Sequence, residues 1–377
     1  MGWSLTLGTV RGIRIKLHLT FLLLIPWAAY TWGFGDGEGW TGAIFGIALT
    51  VTLFMCVVLH ELAHSLVAMR YGVRVREIEL SPIGGVSKMD SMPKKPYQEL
   101  VMALSGPLVN LVIAIPLGML ILSMLVTGLI RSLGHLVYLL GKPSWQGFIL
   151  NLFASNILLA LFNLLPAFPM DGGRVLRSVL ALGMGQRKAT RWAVRVGQVL
   201  AILLAVVGLF PPGGMRSNPI LAIIGLFVFA GAQQEERSSE VLATLGNLRV
   251  SQAVITACQA LAPGDTLESA LEHTMRGHPA CFGVVEGGQL IGLLGQEDIT
   301  AALEAYGHSV RVGEVMRTGF PSVSPSDSLA EAWQLMATSG QRALPVIQDG
   351  QWLGMVTAQQ IGQIYTLVAA RQRGQRI

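Results

Sequence analysis

Residues 49–66 read LTVTLFMCVVLHELAHSL. The stretch 49–59 carries no charge, and His60, Glu61 and His64 follow it directly. On a helix, residues i and i+4 share a face. His60 and His64 can therefore offer both imidazoles to one metal ion, with Glu61 beside it as an acid–base group. Ionisable groups in an apolar span cost on the order of a few kcal/mol, so their presence points to function. The plainer reading of the same residues is a polar contact between helices.

Catalytic zinc usually takes three protein ligands and keeps one position open. The best third ligand is Asp171, in NLLPAFPMDGGR (163–174). An Asp before Gly-Gly also suits a helix cap. Cys56 lies one turn before His60 and could face the same metal; it reads more simply as a small buried hydrophobe. The other cysteines, Cys258 and Cys281, form no CxxC pair, so there is no disulfide framework.

The rest of the chain fits a membrane setting. Its 377 residues are 52% hydrophobic and 13% charged, whereas soluble domains are about one-quarter charged. That excludes an ordinary soluble enzyme and a disordered chain. A spanning helix needs about 20 apolar residues, and six candidate spans fall near 17–33, 43–70, 98–127, 147–168, 189–210 and 218–234. The first, preceded by Arg11, Arg14 and Lys16 and lacking a cleavage site, reads as a retained anchor. Residues 1–236 hold 18 Lys/Arg against 10 Asp/Glu, and 237–377 hold 9 against 12. The basic surplus thus lies in the apolar half, where it reads as positive-inside loops and not as a nucleic-acid surface. Loops rich in Lys and Arg (70–96, 171–188) alternate with poor ones (34–42, 128–146, 211–217), which predicts cytoplasmic termini in a multi-pass protein of the cell membrane. The stretch 76–90, REIELSPIGGVSKMD, alternates and carries Gly84-Gly85. It predicts a β-hairpin or re-entrant loop, and Ile83→Pro is the change expected to break it.

Composition changes after Glu235-Glu236. Aligning Pro263 with Pro325, Leu267 with Leu329, Gly292 with Gly354 and Ile299 with Ile361 gives a constant offset of 62. Two copies predict a pseudo-symmetric α/β pair. The expected organisation is a membrane domain at 1–236, a linker at 237–247, and repeats at 248–305 and 310–369.

HELAH (60–64) and PMDGGR (169–174), with GPLVN (106–110) and SPIGGVSKM (81–89), resemble the motifs of the site-2 protease family of intramembrane zinc metalloproteases, peptidase family M50. The resemblance implies His60, His64 and Asp171 as zinc ligands and Glu61 as general base. It also implies that Asn163, Pro166 and Pro169 receive an unwound substrate strand, and that the hairpin with Gly84 and Gly85 lies near substrate. Asn163 as a simple polar contact, and the prolines as helix breakers, remain open readings. Asn110 and Asn163 are both candidates for an oxyanion partner or a helix-orienting contact.

The C-terminal pair resembles tandem CBS domains, which often bind adenine nucleotides between the copies. The signature is incomplete in each copy: Asp298 is present where Gly295 replaces the hydroxyl residue, and Thr357 is present where Gln360 replaces the acid. Nucleotide sensing (ATP or another adenine nucleotide, through Asp298 and Thr357) and a purely structural or homodimerising module both stand. The overall expectation is a multi-pass α-helical membrane protein with a short β element, followed by a soluble α/β CBS pair. Its function would be zinc-dependent hydrolysis of a membrane-anchored protein substrate in the bilayer. The competing reading is a CBS-regulated metal-ion transporter or channel using the same His/Asp site, which has no need for Glu61.

Overall fold

The computed structural model describes residues 4–35, 37–82, 84–90, 92–93, 95–211, 216–256, 260–275, 281–307 and 310–374. The chain divides into two compact units, Met1–Ser239 and Glu240–Ile377.

The first unit opens with a hairpin, β1 (Ser4–Val10) and β2 (Ile13–His18). An apolar run follows as a 3-10 turn (Leu19–Leu23), α1 (Leu24–Ala29) and a π turn (Tyr30–Gly35). The expected first span is thus a broken, shorter helix, and the basic residues before it lie on and beside strands. Then come α2 (Gly39–Arg70), β3 (Val75–Ser81), β4 (Gly84–Met89), α3 (Pro96–Val126), α4 (Leu133–Leu140), α5 (Trp145–Asn163), α6 (Asp171–Met184), α7 (Gln186–Leu209) and α8 (Pro219–Leu245). Among the described residues, α2, α3, α5 and α7 are long and apolar enough to cross a membrane. At about 1.5 Å per residue, the 32 residues of α2 reach about 48 Å, beyond the roughly 30 Å hydrocarbon layer. The sixth expected span forms the apolar first part of α8. That helix continues through 237–245, inside the stretch expected as a linker.

The strands form one four-stranded sheet in the order β1-β2-β3-β4. β2 runs parallel to β3, and β3 pairs antiparallel with β4, so the 76–90 stretch is a hairpin added to an N-terminal one. Ile83 lies outside the described residues. Ile13, Val75, Ile78 and Leu80 of the sheet form a buried core with Ala68 of α2 and Met102 of α3. Ion pairs stitch the strands together: Glu77 accepts from Lys16 (2.6 Å) and Lys88 (2.9 Å), and Lys88 also meets Glu79 at 2.9 Å. The two lysines hold the Glu77 carboxyl down at about 2.

The second unit contains the repeat. Its first copy has β5 (Ala260–Leu261), α9 (Leu267–Met275), β6 (Cys281–Glu286), β7 (Gln289–Gly295) and α10 (Gln296–Tyr306). After the short α11 (Val312–Val315), the second copy has α12 (Leu329–Ser339), β8 (Ala343–Gln348), β9 (Gln351–Thr357) and α13 (Ala358–Gly374). Helix α12 and strands β8 and β9 start 62 residues after α9, β6 and β7. The hairpins even share a register shift, between Val284 and Val285 in one and Val346 and Ile347 in the other. Leu267, Ile299, Leu329 and Ile361, matched by the offset, all lie in the buried cores.

Candidate metal centre

Helix α2 places His60 and His64 one turn apart on a buried face, and α6 begins at Asp171 opposite them. His60 Nε2 and His64 Nε2 lie 3.1 Å apart, and Asp171 Oδ2 is 3.2 Å from the first and 3.1 Å from the second. A tetrahedral zinc with bonds of about 2.0–2.1 Å sets its ligand atoms about 3.3 Å apart. The donor set, two imidazole nitrogens and a carboxylate oxygen, and its spacing both fit that ion. Among the described residues this is the one His/Cys/Asp/Glu group that converges in this way.

The surrounding contacts aim the donors. His60 Nδ1 donates to Asn110 Oδ1 (3.0 Å), and His64 Nδ1 donates to the Met102 carbonyl (2.7 Å). With each Nδ1 so engaged, both Nε2 atoms are left to face the Asp171 carboxylate and a candidate metal position between them. A Cβ on Gly106 of α3 would lie 2.2 Å from His64 Nε2 and 2.7 Å from His60 Nε2, so only glycine leaves the imidazoles their places. Burial works against charge on Asp171, but the neighbouring His60 and His64 hold its carboxyl below the usual carboxylate range.

Glu61 turns toward β4. Its Oε2 accepts from Ser87 Oγ (2.7 Å), which in turn accepts from Ser65 Oγ (3.2 Å). A Cβ on Gly85 would come within 2.4 Å of Glu61 Cγ. Gly85 is therefore glycine because Glu61 packs on it, whereas Gly84 has open space around it and φ +136°.

The other expected residues are more dispersed. Asn163 ends α5 partly buried, and Pro166 is exposed in the turn leading to Asp171. Pro169 packs against Gly231 of α8. Asn110 Oδ1 is engaged as the partner of His60, while its Nδ2 is buried without a hydrogen-bond partner. Cys56 does not join the metal group; its Sγ lies 3.6 Å from Asn156 Nδ2 on α5. Cys258 lies outside the described residues. In the second unit, Asp298 binds the Gly295 N–H (3.0 Å) and pairs with Arg317 (2.6 Å), while Thr357 Oγ1 accepts from the Gln360 N–H (3.1 Å). Sequence reasoning missed Ser87, Met102 and Gly106. Ser87 and Gly106 fall within SPIGGVSKM and GPLVN, whereas Met102 falls in neither motif, and its contact through a backbone carbonyl leaves no trace in the sequence.

Fold and site together define a chain with a candidate metal centre among apolar helices. Comparison with known proteins agrees. The model of peptidase family M50 matches residues 48–204, and that of the CBS domain matches 250–305 and 312–361. A zinc metalloprotease of Methanocaldococcus jannaschii is 36% identical over 295 residues, 78% of this chain and 79% of that one. Rip3 of Mycobacterium tuberculosis is 29% identical over 376 residues, 96% of this chain and 92% of that one. The solved site-2 protease from Methanocaldococcus jannaschii shares 37% identity, covering 62% of this chain and 95% of that one, with a TM-score of 0.42. The chain belongs to peptidase family M50, the site-2 proteases, and carries two CBS domains.

Proposed function

We propose that this zinc metalloprotease hydrolyses a peptide bond in or near the transmembrane segment of a membrane-anchored protein, with His60, His64 and Asp171 as the zinc ligands and Glu61 as general base. The observation that carries the reading is the convergence of three donor atoms within 3.2 Å of one another, reached from α2 and α6. Bound zinc would supply Lewis acidity, polarising the scissile carbonyl and acidifying water. Glu61 takes the proton of the attacking water and returns it to the leaving amine. The Ser87 hydroxyl fixes the carboxylate for that transfer at 2.7 Å.

A substrate helix hides its carbonyls in its own hydrogen bonds and must unwind before attack. β4 is an edge strand of the sheet, and its neighbour on that side can be an extended substrate segment added by β-augmentation. Gly85 and Ser87 share the face of β4 that meets Glu61, so a strand docked there lies beside the base. Gly84 and Gly85 are assigned to this docking, and Asn163, Pro166 and Pro169 to reception of the unwound strand. Residues 1–236 form the protease and 248–305 and 310–369 the regulatory pair. Loop charge supports a multi-pass placement in the cell membrane with both termini cytoplasmic. Asp298 and Thr357 are assigned to an adenine nucleotide that gates the protease, and the CBS pair to homodimer contact. The test is cleavage of a helix-anchored reporter in lipid nanodiscs. Wild type should cut, and Glu61→Gln should retain zinc and not cut; equal cutting by both overturns the assignment.

A further inference from the structure

Asp171 is the first residue of α6, so whatever fixes α6 fixes the third donor. Six residues on, Arg177 is buried and fully engaged. Its Nε donates to Glu99 Oε1 of α3 (2.9 Å), its two terminal nitrogens pair with Glu99 and with Glu235 of α8, and its guanidinium lies 5.2 Å from the ring centre of Phe168. Gln186 at the start of α7 donates to the other Glu99 oxygen (3.2 Å). One side chain thus joins α3, α6 and α8 to the turn that delivers Asp171. Helix α8 also touches that turn directly. Gly231 seats Pro169, Ala232 packs with Phe168, and Val228 packs with Ala167 and Met170.

A buried ion triad is a poor source of net stability, because an apolar replacement of similar size is often neutral or better. Its role is therefore sought in the placement of the elements it joins. Glu99 is almost fully buried, while the Glu235 side chain is 29% exposed, so the grip has a fixed half and a more accessible half. The accessible half sits on α8, the same helix that packs on Pro169 and Phe168.

We propose that Arg177 is a positioning residue for Asp171, and that Glu235 makes its hold depend on the placement of α8. The inference rests on the reading of Asp171 as a zinc ligand. Displacement of α8 releases Glu235, loosens α6 and lets the third ligand drift from the two histidines. The protease is thereby regulated at metal retention and not at substrate entry.

The test uses the full chain, zinc-loaded, in nanodiscs. It reads the rate of zinc loss to a chromogenic chelator and, separately, kcat and KM on the reporter. Outer partners of metal ligands typically contribute about 10–100-fold in affinity, and this more remote contact is placed at the lower end. Glu235→Gln is expected to speed zinc loss several-fold to about tenfold and to lower kcat with KM unchanged. Arg177→Lys, which keeps the charge but loses the fork, should fall between Glu235→Gln and Arg177→Ala. If Arg177→Ala does not fold, the other two variants decide. Wild-type zinc loss in both Glu235→Gln and Arg177→Lys, with Asp171→Asn losing zinc rapidly, overturns the latch alone. Asp171→Asn holding zinc like wild type overturns the metal assignment, and the latch with it.

Discussion

Gly106→Ala isolates the geometry of the metal centre from its chemistry, because it removes no ligand and no proton donor. The added Cβ would stand 2.2 Å from His64 Nε2, 2.6 Å from His64 Cε1 and 2.7 Å from His60 Nε2. Real Cβ contacts essentially never fall below 3.0 Å, so at least about 0.8 Å of movement is needed at the first of these atoms. His64 cannot supply it freely, since its Nδ1 is tied to the Met102 carbonyl at 2.7 Å. Metal–ligand distances tolerate about 0.2 Å, and a misplacement near 1 Å at a reacting centre can cost about 100-fold in rate. The expected outcome is a loss of about 10–100-fold in zinc affinity and about 100-fold in kcat/KM at saturating zinc. Zinc competition titration and reporter cleavage in nanodiscs measure the two. Gly118→Ala on the same helix is the control. Its three nearest contacts are all Phe153 ring atoms, the closest at 3.2 Å, and a few tenths of an ångström of ring movement absorbs it. Wild-type zinc affinity and turnover in Gly106→Ala would show that this close approach does not set the imidazole geometry.

Three further outcomes are expected. Gly85→Ala should lower kcat about tenfold or more while zinc stays bound, because its Cβ would press on Glu61 and displace the base; metal analysis beside kinetics checks it. Asn110→Ala should weaken zinc binding by about tenfold by freeing His60 Nδ1, read by the same titration. Glu77→Gln tests the sheet. The Glu77 carboxyl is depressed in the folded protein to about 2, against an ordinary 4.5. Its stabilising contribution is therefore present above 4.5 and lost as pH falls through about 2. Discounting for solvent screening, the variant should be less stable by about 1 kcal/mol at pH 7 and should converge with wild type as pH approaches 2, as followed by hydrogen exchange in the strands.

The features legible in the sequence are those encoded at short range. His60 and His64 are four residues apart, so helix geometry alone puts them on one face. The repeat is visible because an offset of 62 preserves the buried positions Leu267 and Leu329. The spans announce themselves through composition, although 17–33 is too short and too irregular to form one straight helix. What stayed hidden is tertiary. β2 pairs parallel with β3 across more than 50 intervening residues, and although IRIKLH (13–18) alternates apolar and polar residues as a strand does, nothing local names its partner. Glu99 and Arg177 stand 78 residues apart and read singly as surface charges. Gly106 looks like an ordinary small residue before a proline until the two imidazoles are placed against it. Asp171 lies between these cases: PMDGGR marks the position, while its distance to His60 and His64 belongs to the packing of α6 on α3.

The proposed role of Glu61 is that of base in cleaving membrane-anchored proteins. It is tested most directly by comparing new protein N-termini in cells expressing wild type or Glu61→Gln, with both chains present and zinc-loaded. New termini inside or beside membrane anchors are expected with wild type alone. The same termini at the same abundance with Glu61→Gln would contradict it.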